Sequence, residues 1–395
     1  MCENLFTAVN NGYEDKTGRL KSYGYKLLNS GGTTYRTADF GIVYGQGAEV
    51  ERIKKVTLNG ADSLGYTYGS FGRLNRLSYL GISGTQRYTD YTYVTNSDTK
   101  QTSTLVQSVT NSGLGTLSYT YDAVGNITSI SKDGVVQVTY TYDDLNQLET
   151  STRGGVTTNY FYGENGNLMT ILGDGYRQHY DMSGDMLYYV CRYNNYNEII
   201  FEGNITYDGI GNPLTYYDGS TFTWTNGRRL ATVTKGTNTY SYAYDADGKR
   251  ISKTVNGVTT KFHYDGEMLI GQNTNGTDIT FLRDATGTVY GLQQGSNLYY
   301  FAFNIQGDVI GIYAANGTVI ATYDYDDWGD CTVNILAADS GGNAITSANH
   351  IANINPIRYR GYYYDAETNF YFLQSRYYDP IVRRFISADS YVSTG

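Results

Sequence analysis

Apolar aromatic and polar residues alternate along most of the chain in a pattern that returns about every twenty residues. The unit is aromatic, any residue, aromatic, Asp, two residues, Gly or Asn, a polar or small residue, then an aliphatic one. The clearest copies are Tyr119, Tyr121, Asp122, Gly125 and Ile127, and Tyr242, Tyr244, Asp245, Gly248 and Ile251. Weaker copies begin at Tyr66, Tyr140, Tyr160, Tyr207, Phe222, Phe262, Phe301 and Tyr323. Second aromatics at positions 121, 142 and 162, then 224, 244 and 264, then 303 and 325, stand 20 to 22 residues apart within each run. Side chains two apart share one face of a strand, so the aromatic pair predicts a strand end. The Asp binds its own turn backbone and the Gly or Asn supplies a left-handed residue. A second punctuation, Asp133-Gly134, Gly154-Gly155, Lys235-Gly236, Asn256-Gly257, Asn275-Gly276 and Asn316-Gly317, falls between copies. Strand, turn, strand, turn follows, one hairpin per repeat.

This pattern predicts an all-β chain: a continuous meander of hairpins with no helix of ten residues between Tyr119 and Gly329. Roughly twenty strands at about 4.8 Å each make a ribbon roughly 95 Å wide, which must curl into a hollow shell or spiral. Four segments are expected. Residues 1–115 are degenerate repeats, with a Ser/Thr-rich stretch from Tyr88 to Leu105 that lacks clean turns; 116–335 are regular repeats; 336–354 form a loop; 355–395 differ from all of these.

Composition agrees with strands. Among 395 residues are 44 Tyr, 47 Gly and only 3 Pro, with 17% charged. Such a mixture disfavours helical bundles, and 15% aromatic content disfavours disorder. The net charge of −9 offers no basic field for nucleic acid. Cys2, Cys191 and Cys331 are too far apart and too few for a disulfide framework or a zinc knuckle. Neither a signal peptide nor a membrane span is legible.

The last segment contains Arg358-Tyr359-x-Gly361, then Tyr364-Asp365-x-Glu367-Thr368, Leu373, and Arg376-Tyr377-Tyr378-Asp379-Pro380 running to Arg384-Phe385 and Asp389. With the Tyr-Asp repeat, it closely resembles the RHS-repeat-associated core domain of bacterial RHS/YD-repeat proteins. The resemblance implies a β-sheet cocoon that encloses a variable C-terminal toxic domain, the core segment plugging one end. It also implies secretion or a cell-surface location, a toxic domain carried by a longer product, and an immunity protein against it. Two departures stand out: Asn369-Phe370 replaces the family's Gly-Leu, and Arg383 replaces a Gly. Asn tolerates the left-handed turn, whereas Arg383 there is expected to alter it. The chain reaches Gly395 without the family's Asn-Pro and Asp-Pro-x-Gly elements, so the cleavage point and toxin are expected outside it.

In the family the core is an aspartyl autoprotease, and Asp389 matches its first carboxylate, with Arg376 and Asp379 nearby in sequence. The second carboxylate is expected downstream, so Asp389 reads first as a turn-capping residue, and whether the chain is an enzyme stays open, leaning to no. Asp365, Glu367 and Asp379 read as hairpin-turn and ion-pair residues. His179, His263 and His350 stand alone and read as aromatic substitutes or surface residues, not metal ligands. The repeated aspartates lack the clustered oxygens of a calcium loop, and no cofactor motif is present. Rows of aromatics could stack on sugars but more simply pack the sheet. Two functions remain: a structural shell and plug for a toxic domain, or a cell-surface adhesion module that binds glycans.

Overall fold

A computed structural model describes residues 6–7, 11–14, 19–28, 34–45, 51–69, 71–95, 102–164, 166–173, 176–180, 187–193 and 199–388. Cys2 and Asp389 lie outside them. The chain is almost all β. Its strands pair antiparallel with their sequence neighbours in two long sheets, followed by a four-stranded sheet over Tyr363–Asp365, Phe370–Phe372, Tyr377–Asp379 and Arg384–Phe385. Among the described residues the only α-helix is the single turn Ile351–Ile354.

The Tyr-Asp turn forms as its residues dictate. The Asp122 carboxylate accepts the backbone N–H groups of Val124, Gly125 and Asn126 at 3.0, 2.8 and 2.8 Å, and Asp143 accepts those of Leu145 and Gln147. Gly125 sits at φ 99°, and Asn146 takes the equivalent place at φ 60°. The intervening Asn256-Gly257 pair has both residues left-handed, at φ 48° and 85°, the geometry whose twist matches flanking strands.

A feature of the repeat that the pattern alone did not expose explains its second tyrosine. Each ladder slips by one residue at that position: Thr67/Tyr68, Thr141/Tyr142, Phe161/Tyr162 and Ala243/Tyr244. The slip is a bulge on the strand that follows the turn. The hydroxyls of Tyr68, Tyr142 and Tyr162 then donate to the carbonyls of Ile53, Ile127 and Leu148, the residues that follow the preceding turn, at 2.9, 2.8 and 3.0 Å. Arg283 stands where a second aromatic is expected, and its guanidinium reaches the Leu269 carbonyl in the same way.

The chain forms two compact units, residues 1–117, 262–324 and 332–361, and residues 118–261, 325–331 and 362–395. In the first, two sheet faces pack on each other: Phe40, Val56, Leu64 and Tyr79 meet Ile270, Tyr290, Tyr300 and Tyr313. Buried hydroxyls are satisfied there, Tyr79 donating to the Phe301 carbonyl at 2.6 Å and Ser63 meeting Tyr290 at 2.9 Å. In the second, Tyr160, Leu168 and Ile171 make a small core against which Trp328 packs.

The structure adds detail that the pattern did not give. The Ser/Thr-rich stretch holds two long paired strands, Tyr88–Thr95 and Thr102–Asn111, steadied by hydroxyl pairs such as Thr92 with Ser108 at 2.7 Å. His350 is not a surface residue: it is fully buried, its Nδ1 accepts the Ala352 N–H that opens the short helix, and its Nε2 lies 3.0 Å from the Ala337 carbonyl. His263 is buried as well. His179 lies in the strand Tyr176–Tyr180, opposite Tyr189.

Candidate functional site

The C-terminal motif residues divide between the two units. Arg358, Tyr359 and Gly361 belong to the first. Arg358 is buried, donates to the Asn353 and Asn355 carbonyls at 3.1 and 3.3 Å, and lies over the Tyr323 ring. Tyr359–Gly361 makes a tight turn in which Arg360 and Gly361 are both left-handed, at φ 51° and 72°.

Asp365, Glu367, Arg376, Tyr377, Tyr378, Asp379, Pro380, Arg384 and Phe385 belong to the second unit, on or beside the small sheet. Two hairpin turns set its register: Asn369 and Arg383 both stand in the left-handed region at φ 62° and donate to the carbonyls of Asp365 and Asp379. Arg383 therefore stands in the left-handed conformation that glycine adopts most readily. Tyr378 and Phe385 face each other across strands, and Arg376 lies over the Phe385 ring at 3.8 Å.

Two buried carboxylates fasten this sheet to the repeat strands, and they are built differently. Asp365, with no exposed side-chain surface, takes Arg250 at 2.5 and 3.2 Å and Lys253 at 2.9 Å, and Lys253 also reaches Glu367 at 2.9 Å. Arg250 comes from the aliphatic end of a Tyr-Asp copy, and its guanidinium lies 4.0 Å over Phe372. It also donates to the Tyr377 hydroxyl, which meets Tyr244 at 3.0 Å. Burial pushes the Asp365 carboxyl up, but Arg250 and Lys253 outweigh it and hold the group below the usual range. Burial and the neighbouring Asp365 charge raise Glu367, against Lys253.

Asp379 has no cation partner among the described residues. It accepts the hydroxyls of Tyr216 and Tyr217 at 3.0 and 3.2 Å and the Ile381 N–H at 2.8 Å. Burial pushes its carboxyl up to about 6, against those same donors. Tyr216 is clamped by the rings of Phe222 and Phe370. Of the expected residues, then, Asp365, Glu367 and Tyr377 meet in one cluster and Asp379 in another. Asp389 is not placed.

Sequence reasoning missed Arg250, Lys253, Tyr216, Tyr217 and Asp327. Asp327 follows a repeat aspartate, and its carboxylate accepts Tyr140, Tyr160 and Arg153 at 2.9, 3.2 and 3.1 Å. The neighbouring Trp328 and Gly329 carbonyls accept Tyr378 and Tyr371. The turn at 325–331 thus ties the repeat strands to the small sheet. The available signal was charge: Arg250 and Lys253 occupy strand positions where other copies carry uncharged residues.

Asp365, Glu367 and Asp379 each meet structural partners, the geometry of a clasp between the small sheet and the repeat strands. Comparison with known proteins agrees with a repeat shell. The tRNA nuclease WapA of Bacillus subtilis is 32% identical over 245 residues, 60% of this chain and 10% of that protein. The tRNA3(Ser)-specific nuclease WapA of Bacillus spizizenii matches to the same extent. The chain thus spans about a tenth of the length of these curated relatives. Among solved structures, the Photorhabdus luminescens Tc holotoxin pore aligns with a TM-score of 0.65 and 19% identity, over 97% of this chain and 20% of that one. A crystal structure of TcdB2–TccC3 aligns with a TM-score of 0.58 and 18% identity, over 95% of this chain and 22% of that one. Residues 67–394 match the Teneurin YD-shell family, and with the bulged Tyr-Asp hairpins repeated in order along those residues, the chain belongs to that family.

Proposed function

We propose that this chain is the wall and end plug of an RHS-repeat toxin, enclosing a toxic domain supplied by a longer product. The observation that carries the reading is the buried fastening of residues 362–388 to the repeat strands through Asp365, Arg250 and Lys253. A buried charge pair adds little net stability over apolar packing but penalises any arrangement that leaves one partner alone, which suits a plug that must seat in one register. In this reading the chain contributes structure and no catalytic group, the location is secreted or cell-surface, and an immunity protein answers the toxic domain.

The glycan-binding alternative has less support. Most aromatic rings are spent inside sheet packing, and Phe71 and Tyr13, 73% and 57% exposed, are the most exposed aromatics described. The test starts from the full reading frame. Continuation into an unrelated domain, and survival of that domain under a protease that degrades it when Asp365→Ala loosens the plug, is the expected result. A frame that closes at this point, with binding on a glycan array, would favour the adhesion module.

A further inference from the structure

We propose that the hairpin Tyr377–Phe385 is a proton-governed latch, fastened to the repeat strands when the Asp379 carboxyl carries a proton and loosened when that proton leaves. The two clasps of the small sheet differ in one respect. Asp365 faces Arg250 and Lys253, so its charge is compensated in place. Asp379 is 1% exposed, and its hydrogen-bond donors are neutral: the hydroxyls of Tyr216 and Tyr217 from the repeat side, and the Ile381 and Val382 N–H groups from its own turn. Arg384 stands opposite it across the strand pair, and Arg383 lies in the same turn, its backbone N–H donating to the Asp379 carbonyl. Tyr207, near Tyr216, adds no positive charge.

Burial in a dry site makes the charged carboxylate costly, and hydrogen bonds from neutral donors offset only part of that where no cation compensates the charge. Burial accordingly raises the group to about 6, above the ordinary Asp value of about 3.9. The sign follows. Between those values the seated hairpin holds a proton that the detached hairpin does not, so attachment is tightest in acid and weakens as pH rises through about 6. Asp365 acts with the opposite sign and only below the ordinary carboxylate range. Glu367 titrates in the same direction as Asp379 but beside Lys253, so it is the group to separate experimentally.

The latch deepens the plug reading and rests on it for its consequence, release at neutral pH of a segment seated in acid. The physical event can be measured without it. Hydrogen exchange at the backbone amides of Tyr377–Asp379 and Ile386, corrected for intrinsic rates, reports hairpin opening in the 395-residue chain. Opening is expected to increase roughly thirtyfold between about pH 4.5 and 7.5, at tenfold per unit of the interval below 6, and to level off above. Asp379→Asn should flatten the profile, and Tyr217→Phe, which removes a donor to the charged form, should move its midpoint upward. Equal slopes in wild type and Asp379→Asn, or a slope abolished by Glu367→Gln alone, would overturn the latch. Should Asp379→Asn not fold, an unmoved midpoint in Tyr217→Phe overturns it. Loss of cargo protection with an intact latch would sink only the shell reading.

Discussion

Single residues carry the repeat. A repeat aspartate such as Asp122 closes a turn by accepting three N–H groups, and a tyrosine such as Tyr142 reaches a carbonyl one hairpin back, so each contact ties a copy to itself or to its neighbour. Arg383 is at odds with its backbone, as Arg360 and Gln374 are: an arginine at φ 62° where the family resemblance implies glycine. Left-handed backbone costs a non-glycine residue roughly 1–2 kcal/mol, while glycine's extra chain entropy returns part of that. Arg383→Gly is therefore expected to raise stability by about 0.5–1 kcal/mol, read as a shift in the urea midpoint at constant slope. An unchanged or lower midpoint would mean that the Arg383 side chain makes up for its backbone.

Among elements, the four short strands of the C-terminal sheet could not hold alone. Strands of two or three residues gain too few hydrogen bonds and too little burial to be stable in water, so their order depends on Arg250, Lys253 and the ring cluster around Tyr216. Removing one partner of a buried ion cluster leaves the others uncompensated, a loss of roughly 3–5 kcal/mol. Asp365→Asn should lower stability by about that much at neutral pH, leaving Arg250 and Lys253 facing an uncharged amide. Because the folded Asp365 carboxyl lies below its ordinary value, its contribution is complete above about pH 4 and is lost as pH falls through the folded value. The gap between wild type and Asp365→Asn in denaturant melts should thus be wide at pH 7 and narrow at pH 3. A gap that does not change with pH would show that packing, not charge, holds the strands.

On the scale of the whole molecule, the carboxylates of the C-terminal motif that the structure describes, Asp365, Glu367 and Asp379, are each engaged by cations, hydroxyls or backbone N–H groups. Self-hydrolysis requires a carboxyl pair poised on a scissile bond in near-attack geometry, and the sequence places the second carboxylate and the cleavage point outside these residues. The purified 395-residue chain is accordingly expected to keep one mass for days at neutral pH. A discrete pair of fragments by intact-mass measurement, abolished by Asp389→Asn, would restore the protease assignment. Edges of such long sheets also invite pairing between copies, so fragments and oligomers should be separated before the masses are read.

The sequence by itself determined the hairpins, their spacing and their turns. Those features depend on contacts within a few residues: an Asp binding the next turn, an Asn or Gly accepting positive φ, aromatics two apart sharing a face. It also pointed to Asp365, Glu367 and Tyr377 as members of one motif. Only the tertiary structure decided what that motif touches. Arg250 lies 115 residues before Asp365, and Tyr216 lies 163 before Asp379; no local pattern specifies such pairings. Nor does any local pattern distinguish a carboxylate met by two cations from one met by two hydroxyls. That distinction depends on burial and on which strand end arrives opposite, because desolvation and charge act through space and take no account of separation along the chain.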